Sequence, residues 1–308
     1  MRDKTKILIT GGTGLIGTAM SKMFLEQGFN VAVLTRKKPA NPQKNIVYYE
    51  WNTENGFIER GALDSADYII HLSGSSLGEG RWTKKRKKKI LESRLNPAGL
   101  LFSELERSGN KIKAFISSSA IGYYGSLTSE KIFTESDPPG NDFLGKVCVE
   151  WENSAERFAE ISERVVLIRT GIVLSVKGGT LKRLLPLFKI GVGVPLGSGR
   201  QYFPWIHIDD IISIYKMALE NSTMEGAYNG VSPEHTDNIG FTRALNNYLG
   251  KKTWLPNLPS LFLRIAFGEM ADVILKGSRV SCSKLLDQGF EFKFNSLDHA
   301  LSDILDNQ

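Results

Sequence analysis

The sequence predicts a doubly wound α/β fold built on a parallel sheet. Two observations predict it: a glycine-rich junction between the first strand and the first helix, and a series of short apolar runs separated by helical patterns. Lys6 to Thr10 (KILIT) is a β-branched run ending in glycines. Leu15 to Gln27 has the period of an amphipathic helix, and Asn30 to Thr35 (NVAVLT) is a second apolar strand. Together they read as a βαβ unit. Further runs follow at 46–51 (IVYYEW), 66–74 (ADYIIHLSG), 113–119 (KAFISSS) and 164–171 (RVVLIRTG). Strands that are apolar throughout are buried on both faces, as in a parallel sheet covered by helices on each side.

After Gly171 the texture changes, with Gly and Pro dense through GVGVPLGSGRQYFPW. Residues 1–170 are therefore expected to form the nucleotide-binding core and 171–308 a mainly substrate-covering region. Within the latter, HIDDIISIYKMALE (207–220) reads as a helix, and 207–230 is expected to pack back onto the core.

The chain has 308 residues, 41% hydrophobic and 23% charged, an ordinary globular composition with no biased tract. Cys148 and Cys282 have neither metal-ligand nor redox-motif spacing and read as reduced thiols, which with no signal core or spanning apolar run points to the cytoplasm. The net charge of +6 is local: Arg81 to Arg94 (RWTKKRKKKILESR) is a run of lysines and arginines against the single Glu92. Trp82, Ile90, Leu91 and Leu95 share one face of that run, so it reads as a solvated helix, and no nucleic-acid partner is expected because no stacking platform accompanies it. LPSLFLRIAFGEMADVIL (258–275) is broken by Arg264, Glu269 and Asp272 and reads as a core-packing helix pair, so no membrane partner is expected either.

The segment ILITGGTGLIG places Gly11, Gly14 and Gly17 between a strand and a helix, the context a dinucleotide fingerprint requires. Gly11 permits a tight turn, Gly14 lets the backbone approach a pyrophosphate, and Gly17 brings helix and strand together. The N–H groups of the helix start at Leu15 and Ile16 then face the phosphates. A cofactor with a free ribose 2′-OH meets an acidic residue at the end of the second strand. Here that position holds Thr35, Arg36 and Lys37, and a guanidinium there suits the 2′-phosphate of NADP, with NAD as the alternative.

The fingerprint, with HLSG after one strand and SSSAIGYYG after the next, resembles the extended short-chain dehydrogenase/reductase superfamily. Arg81-Trp82 with Ser93-Arg94, VCVEWE (147–152), RTGIVLS (169–175), LGSGRQYFPWIHIDD (196–210) and GFEF (289–292) narrow the resemblance to its atypical, epimerase-family branch, which carries its own small C-terminal domain. The resemblance implies a Rossmann core, a nicotinamide cofactor at the glycine turn, and Leu72, Ser73, Gly74 and Ser117 beside the cofactor. It names no substrate.

Chemistry in that superfamily uses a tyrosine, a lysine four residues later, and a serine that bonds the reacting oxygen. Ser119, at the end of the strand 113–119, fits the last role. Lys146 occupies the lysine position, but Asp142 stands where the tyrosine belongs, and the sequence holds no YxxxK. Asp142 reads equally as a helix cap, and Tyr124 is the nearest candidate phenol. Arg169, Gln201 and Trp205 are expected to meet a substrate, although Arg169 could equally pair within the core. His71 is more simply structural, and Asp209 is expected to cap the helix after His207, with no metal site. The expected function is an NADP-binding oxidoreductase or epimerase-like enzyme on a small carbonyl or hydroxyl substrate, as monomer or homodimer. The alternative is a non-catalytic NADP-binding sensor or regulatory protein.

Overall fold

The computed structural model describes residues 5–64, 66–252 and 255–306. In chain order the elements are β1 (Lys6–Thr10), α1 (Leu15–Glu26), β2 (Asn30–Thr35), β3 (Ile46–Asn52), β4 (Phe57–Ile58), β5 (Tyr68–His71), α2 (Lys84–Ser108), β6 (Ala114–Ala120), β7 (Ile132–Phe133), α3 (Phe143–Glu156), β8 (Val165–Thr170), β9 (Ile172–Leu174), α4 (Gly179–Lys189), β10 (Trp205–His207), α5 (Ile208–Glu220), β11 (Gly226–Gly230), α6 (Asn238–Tyr248), α7 (Ser260–Phe267), α8 (Ala271–Leu275), β12 (Arg279–Val280), α9 (Ser283–Asp287) and α10 (Leu297–Asp306).

Eight strands form one sheet in the order β11-β8-β6-β5-β1-β2-β3-β4, parallel except for β4, which turns back on β3. This is the expected Rossmann-like doubly wound sheet. The strand order reverses at β1, with β2 on one side and β5 on the other, and ligands of such sheets sit at the carboxyl ends beside that switch point. Each face is sealed by its own core. On one side Met20 and Phe24 of α1 and Ile211, Ile214 and Tyr215 of α5 pack on Ile7, Ile9 and Ile168. On the other, Leu101, Phe102 and Leu105 of α2 and Phe158 pack on Leu8, Ile69 and Phe115. The segment 207–230 thus belongs to the sheet layer: α5 covers it, and β11 is its edge strand.

The rest of the C-terminal half closes around a core of its own. Leu181, Leu185 and Phe188 of α4, Phe241 and Leu245 of α6, and Leu301, Ile304 and Leu305 of α10 enclose Phe203, Trp205 and Phe294. The helix pair expected at 258–275 is present as α7 and α8, but the expected core packing of α7 is not found. Leu261, Phe262 and Ile265 are 63%, 59% and 62% exposed, and Leu263 is the buried anchor. Arg81 ties α7 to the start of α2 by donating to the carbonyls of Ile265 and Ala266.

Candidate functional site

The glycine turn is shaped by close approach. Gly11 adopts φ +67°, and a side chain there would lie 2.8 Å from the Leu72 carbonyl oxygen, so the 72–74 loop rests directly on the turn. A Cβ on Gly17 would stand 2.5 Å from both the Gly11 oxygen and the Gly12 Cα, which lets α1 leave the strand at close range. Gly14 caps α1 without any side-chain hydrogen bond, so the first N–H groups of the helix, at Leu15 and Ile16, are claimed by no side chain. A cradle that a methyl group would fill, opening on an uncapped helix N-terminus, fits a dinucleotide pyrophosphate.

At the end of β2, Thr35 is buried and donates through Oγ1 to the Lys37 carbonyl at 2.9 Å. Lys38 is engaged with Glu59 at 2.9 Å, whereas the Arg36 side chain is exposed and, among the described residues, bonded to no protein group. Leu15 meets the second region, because a Cβ on Gly178 would lie 3.3 Å from its Cδ1. The turn therefore sits where sheet and C-terminal core meet.

His71 ends β5 wholly buried, with Nδ1 2.8 Å from Thr10 Oγ1 and its ring stacked on Phe115. Burial pulls its pKa down to about 4, so it is neutral at physiological pH. Ser117 lies opposite it in the register and is also fully buried, its hydroxyl donating to the Ser118 carbonyl at 3.0 Å. Ser73 is half-buried and Gly74 exposed, so the loop itself, rather than Ser117, presents surface.

One buried polar network occupies the ends of β6 and β8. Ser119 Oγ donates to Glu152 Oε1 at 2.6 Å, and Arg169 grips the same carboxylate through Nε (2.9 Å) and Nη2 (2.8 Å). Arg169 Nη1 also reaches the Tyr124 hydroxyl at 3.1 Å, and that hydroxyl donates to Asn229 Oδ1 at 2.7 Å. Burial works against the guanidinium charge, but the carboxylate outweighs it and raises the Arg169 pKa. Burial likewise pushes the Tyr124 phenol up to about 12, only partly offset by Arg169. In this arrangement the Ser119 hydroxyl donates to Glu152, Tyr124 is 2% exposed, and Arg169 pairs within the core, one of the two roles its sequence position allowed. Glu152 and Asn229 were not singled out from the sequence. The signal for Glu152 was present: it lies one turn after Cys148 on the face of α3 that buries Leu144, Val147 and Trp151.

Asp142 caps α3, accepting from Gly145 N at 2.9 Å and Ser126 N at 2.7 Å. Burial acts to raise its pKa, but those amides outweigh it and hold it below the ordinary carboxylate range. Lys146, one turn on, is exposed. Gln201 is buried and its amide donates to the carbonyls of Leu196 (2.9 Å) and Ile274 (3.2 Å), and Trp205 is fully buried in the C-terminal core, so neither presents a surface to a ligand as expected.

The expected Asp209 cap is also corrected. His207 caps α5, its Nδ1 accepting from Asp209 N at 3.0 Å. Burial brings its pKa down to about 4, so the neutral ring carries its proton on Nε2, 3.4 Å from Asp303 Oδ2. His207, Asp209 and Asp303 bring one ligand-type atom each within 4.8 Å of one another, with His207 Nδ1 committed to the helix cap. Cys148 and Cys282 are buried free thiols, raised by burial to about 12 and about 11. No helix among the described residues is long and apolar enough to cross a membrane.

Residues 7–229 match the sequence model of the NAD dependent epimerase/dehydratase family. The chain belongs to that family. Residues 258–304 of this family member match a second model, a domain of unknown function (DUF1731), which spans α7 to α10. The epimerase family protein Mb2239 of Mycobacterium bovis is 36% identical over 296 residues, 96% of each chain. The mouse epimerase family protein SDR39U1 is 35% identical over 305 residues, covering 97% of this chain and 99% of that one. The crystal structure of human SDR39U1 (isoform 2) with NADPH superposes with a TM-score of 0.88 at 31% identity, covering 99% of this chain and all of that one. The UDP-glucose 4-epimerase of Thermotoga maritima, at 20% identity and a TM-score of 0.78, shares the fold. The resemblance to the epimerase branch with its own C-terminal domain therefore holds.

Proposed function

We propose that this protein binds NADP(H) at the glycine turn and uses it as an oxidoreductase or epimerase-like enzyme on a small carbonyl or hydroxyl substrate. The observation that carries the reading is the pairing of an uncapped α1 N-terminus with an exposed Arg36 at the end of β2, which has no partner among the described residues. The helix start suits the pyrophosphate, and the guanidinium suits the 2′-phosphate that distinguishes NADP from NAD. The human relative solved with NADPH supports the same choice. When bound, the nicotinamide supplies or accepts a hydride. The chain's own part is to hold the phosphates at Leu15 and Ile16, to set the 72–74 loop against the turn, and to present Arg36.

Calorimetric titration tests this. NADPH is expected to bind more tightly than NADH, and Arg36→Ala to lose about tenfold to a hundredfold in NADPH affinity while NADH is unchanged. Equal affinity for both nucleotides in the wild type would refute the NADP assignment.

A second reading, a nucleotide-binding regulatory protein without turnover, is favoured by the Ser119–Glu152 bond, which withholds the serine from a reacting oxygen. A carbonyl and alcohol panel followed by nicotinamide absorbance separates the two. Turnover supports the enzyme, and NADPH binding without turnover on any member supports the regulatory protein.

A further inference from the structure

Arg94 is buried in α2, 7% exposed, and no carboxylate among the described residues pairs with it. Its guanidinium donates to the carbonyls of Ile90 (2.8 Å) and Ser75 (3.3 Å) and lies 4.8 Å from the Trp151 ring centroid. Burial draws its pKa down to about 10, which leaves it charged at neutral pH. Buried charges are ordinarily neutralised by a partner, because desolvation is costly.

The other buried arginines show how this chain meets that cost. Arg169 has Glu152. Arg164, at the start of β8, donates to Leu219 in the last turn of α5 and to Met224, so a helix C-terminus supplies its negative end. Arg94 has neither device, since Ile90 lies within its own helix and Ser75 in a loop.

That loop leads to the glycine turn. A Cβ on Gly74 would lie 3.3 Å from Arg94 Cζ, and two residues earlier Leu72 rests on Gly11. Ser93, beside Arg94, accepts from Ser75 N at 2.9 Å and donates to Ser75 Oγ at 3.1 Å, so the Ser93-Arg94 pair clamps the loop from below. We propose that Arg94 is a positioning residue of the nucleotide site, fixing the 72–75 loop against the glycine turn and taking its counter-charge from the phosphates of a bound dinucleotide.

The inference rests on the nucleotide reading above but acts on a different part of the ligand. Arg36 would meet the 2′-phosphate that only NADP carries, whereas Arg94, through the 72–75 loop, would act on the phosphates common to NADP and NAD. Arg94→Met is therefore expected to weaken NADPH and NADH by the same factor, about tenfold at low salt. Arg94→Lys, which keeps the charge and spares the fold, recovers part of the loss, and the deficit changes little with salt because the charge is buried. Binding by Arg94→Met equal to wild type overturns the inference, as does a loss of equal size in Lys and Met variants, or a loss confined to NADPH. A wild type that binds neither nucleotide sinks the nucleotide reading itself, a result distinguishable from any of these.

Discussion

At the carboxyl ends of the sheet, two polar regions a few strands apart dispose of their hydrogen-bonding capacity in opposite ways. Among the described residues, the glycine turn after β1 leaves its helix N–H groups without side-chain partners and Arg36 without an acid. The cluster after β6 and β8 binds Ser119, Glu152, Arg169, Tyr124 and Asn229 to one another with donors and acceptors matched. Open polar groups at a surface cost little because water serves them until a ligand arrives, whereas buried ones must be satisfied internally. The first region is left open at the surface, and the second is closed on itself.

The sharpest way to break this contrast is to remove the carboxylate at the centre of the closed region. Glu152→Ala leaves Arg169 charged, buried and unpaired, and is expected to cost about 3–5 kcal/mol in urea unfolding. Adding Arg169→Met should return much of that loss, since an apolar pair needs no counter-charge. The affinity for NADPH of the folded single variant should stay close to wild type. A Glu152→Ala protein destabilised by less than about 1 kcal/mol would mean that the network is incidental.

His71 probes the boundary between the two regions, because it joins β1 to β5 through Thr10. Its folded pKa of about 4 lies below the ordinary 6.5, so between those values the unfolded chain binds more protons. The stabilisation is complete above pH 6.5 and is lost as pH falls towards 4, by about 3 kcal/mol for this histidine. His207, also held near 4, adds to the same acid limb. His71→Asn should therefore make stability between pH 7 and 4 less steep without abolishing the slope. An unaltered slope would show that His71 takes up its proton without unfolding.

How far the sequence revealed these regions follows from the distances along the chain that they span. The glycine turn was legible because its determinants lie within residues 6–36 and each glycine answers a local backbone demand, such as the positive φ of Gly11. The closed region draws on positions 119, 124, 152, 169 and 229, and only the sheet order brings β6, β8 and β11 side by side. A serine after a strand looks available for chemistry until the helix opposite it is known to carry a buried glutamate. The same logic explains α7. Its apolar composition suggested burial, but burial depends on what faces the helix, and only Leu263 found a place in the interior.

The smallest expected effect bears on Asp142, which stands where a proton-donating tyrosine would be needed. Its two oxygens are taken by the amides of Gly145 and Ser126, and its pKa is held low, the reverse of what a general acid requires. Asp142→Ala should lose about 1 kcal/mol as an N-cap, and Asp142→Asn less, because the amide oxygen can still accept from Gly145. If the enzyme reading holds, the Asn variant should turn over like wild type. A variant that keeps its stability and NADPH affinity but loses turnover would instead show that the carboxylate takes part in the chemistry, and would place the proton-transfer step at the start of α3.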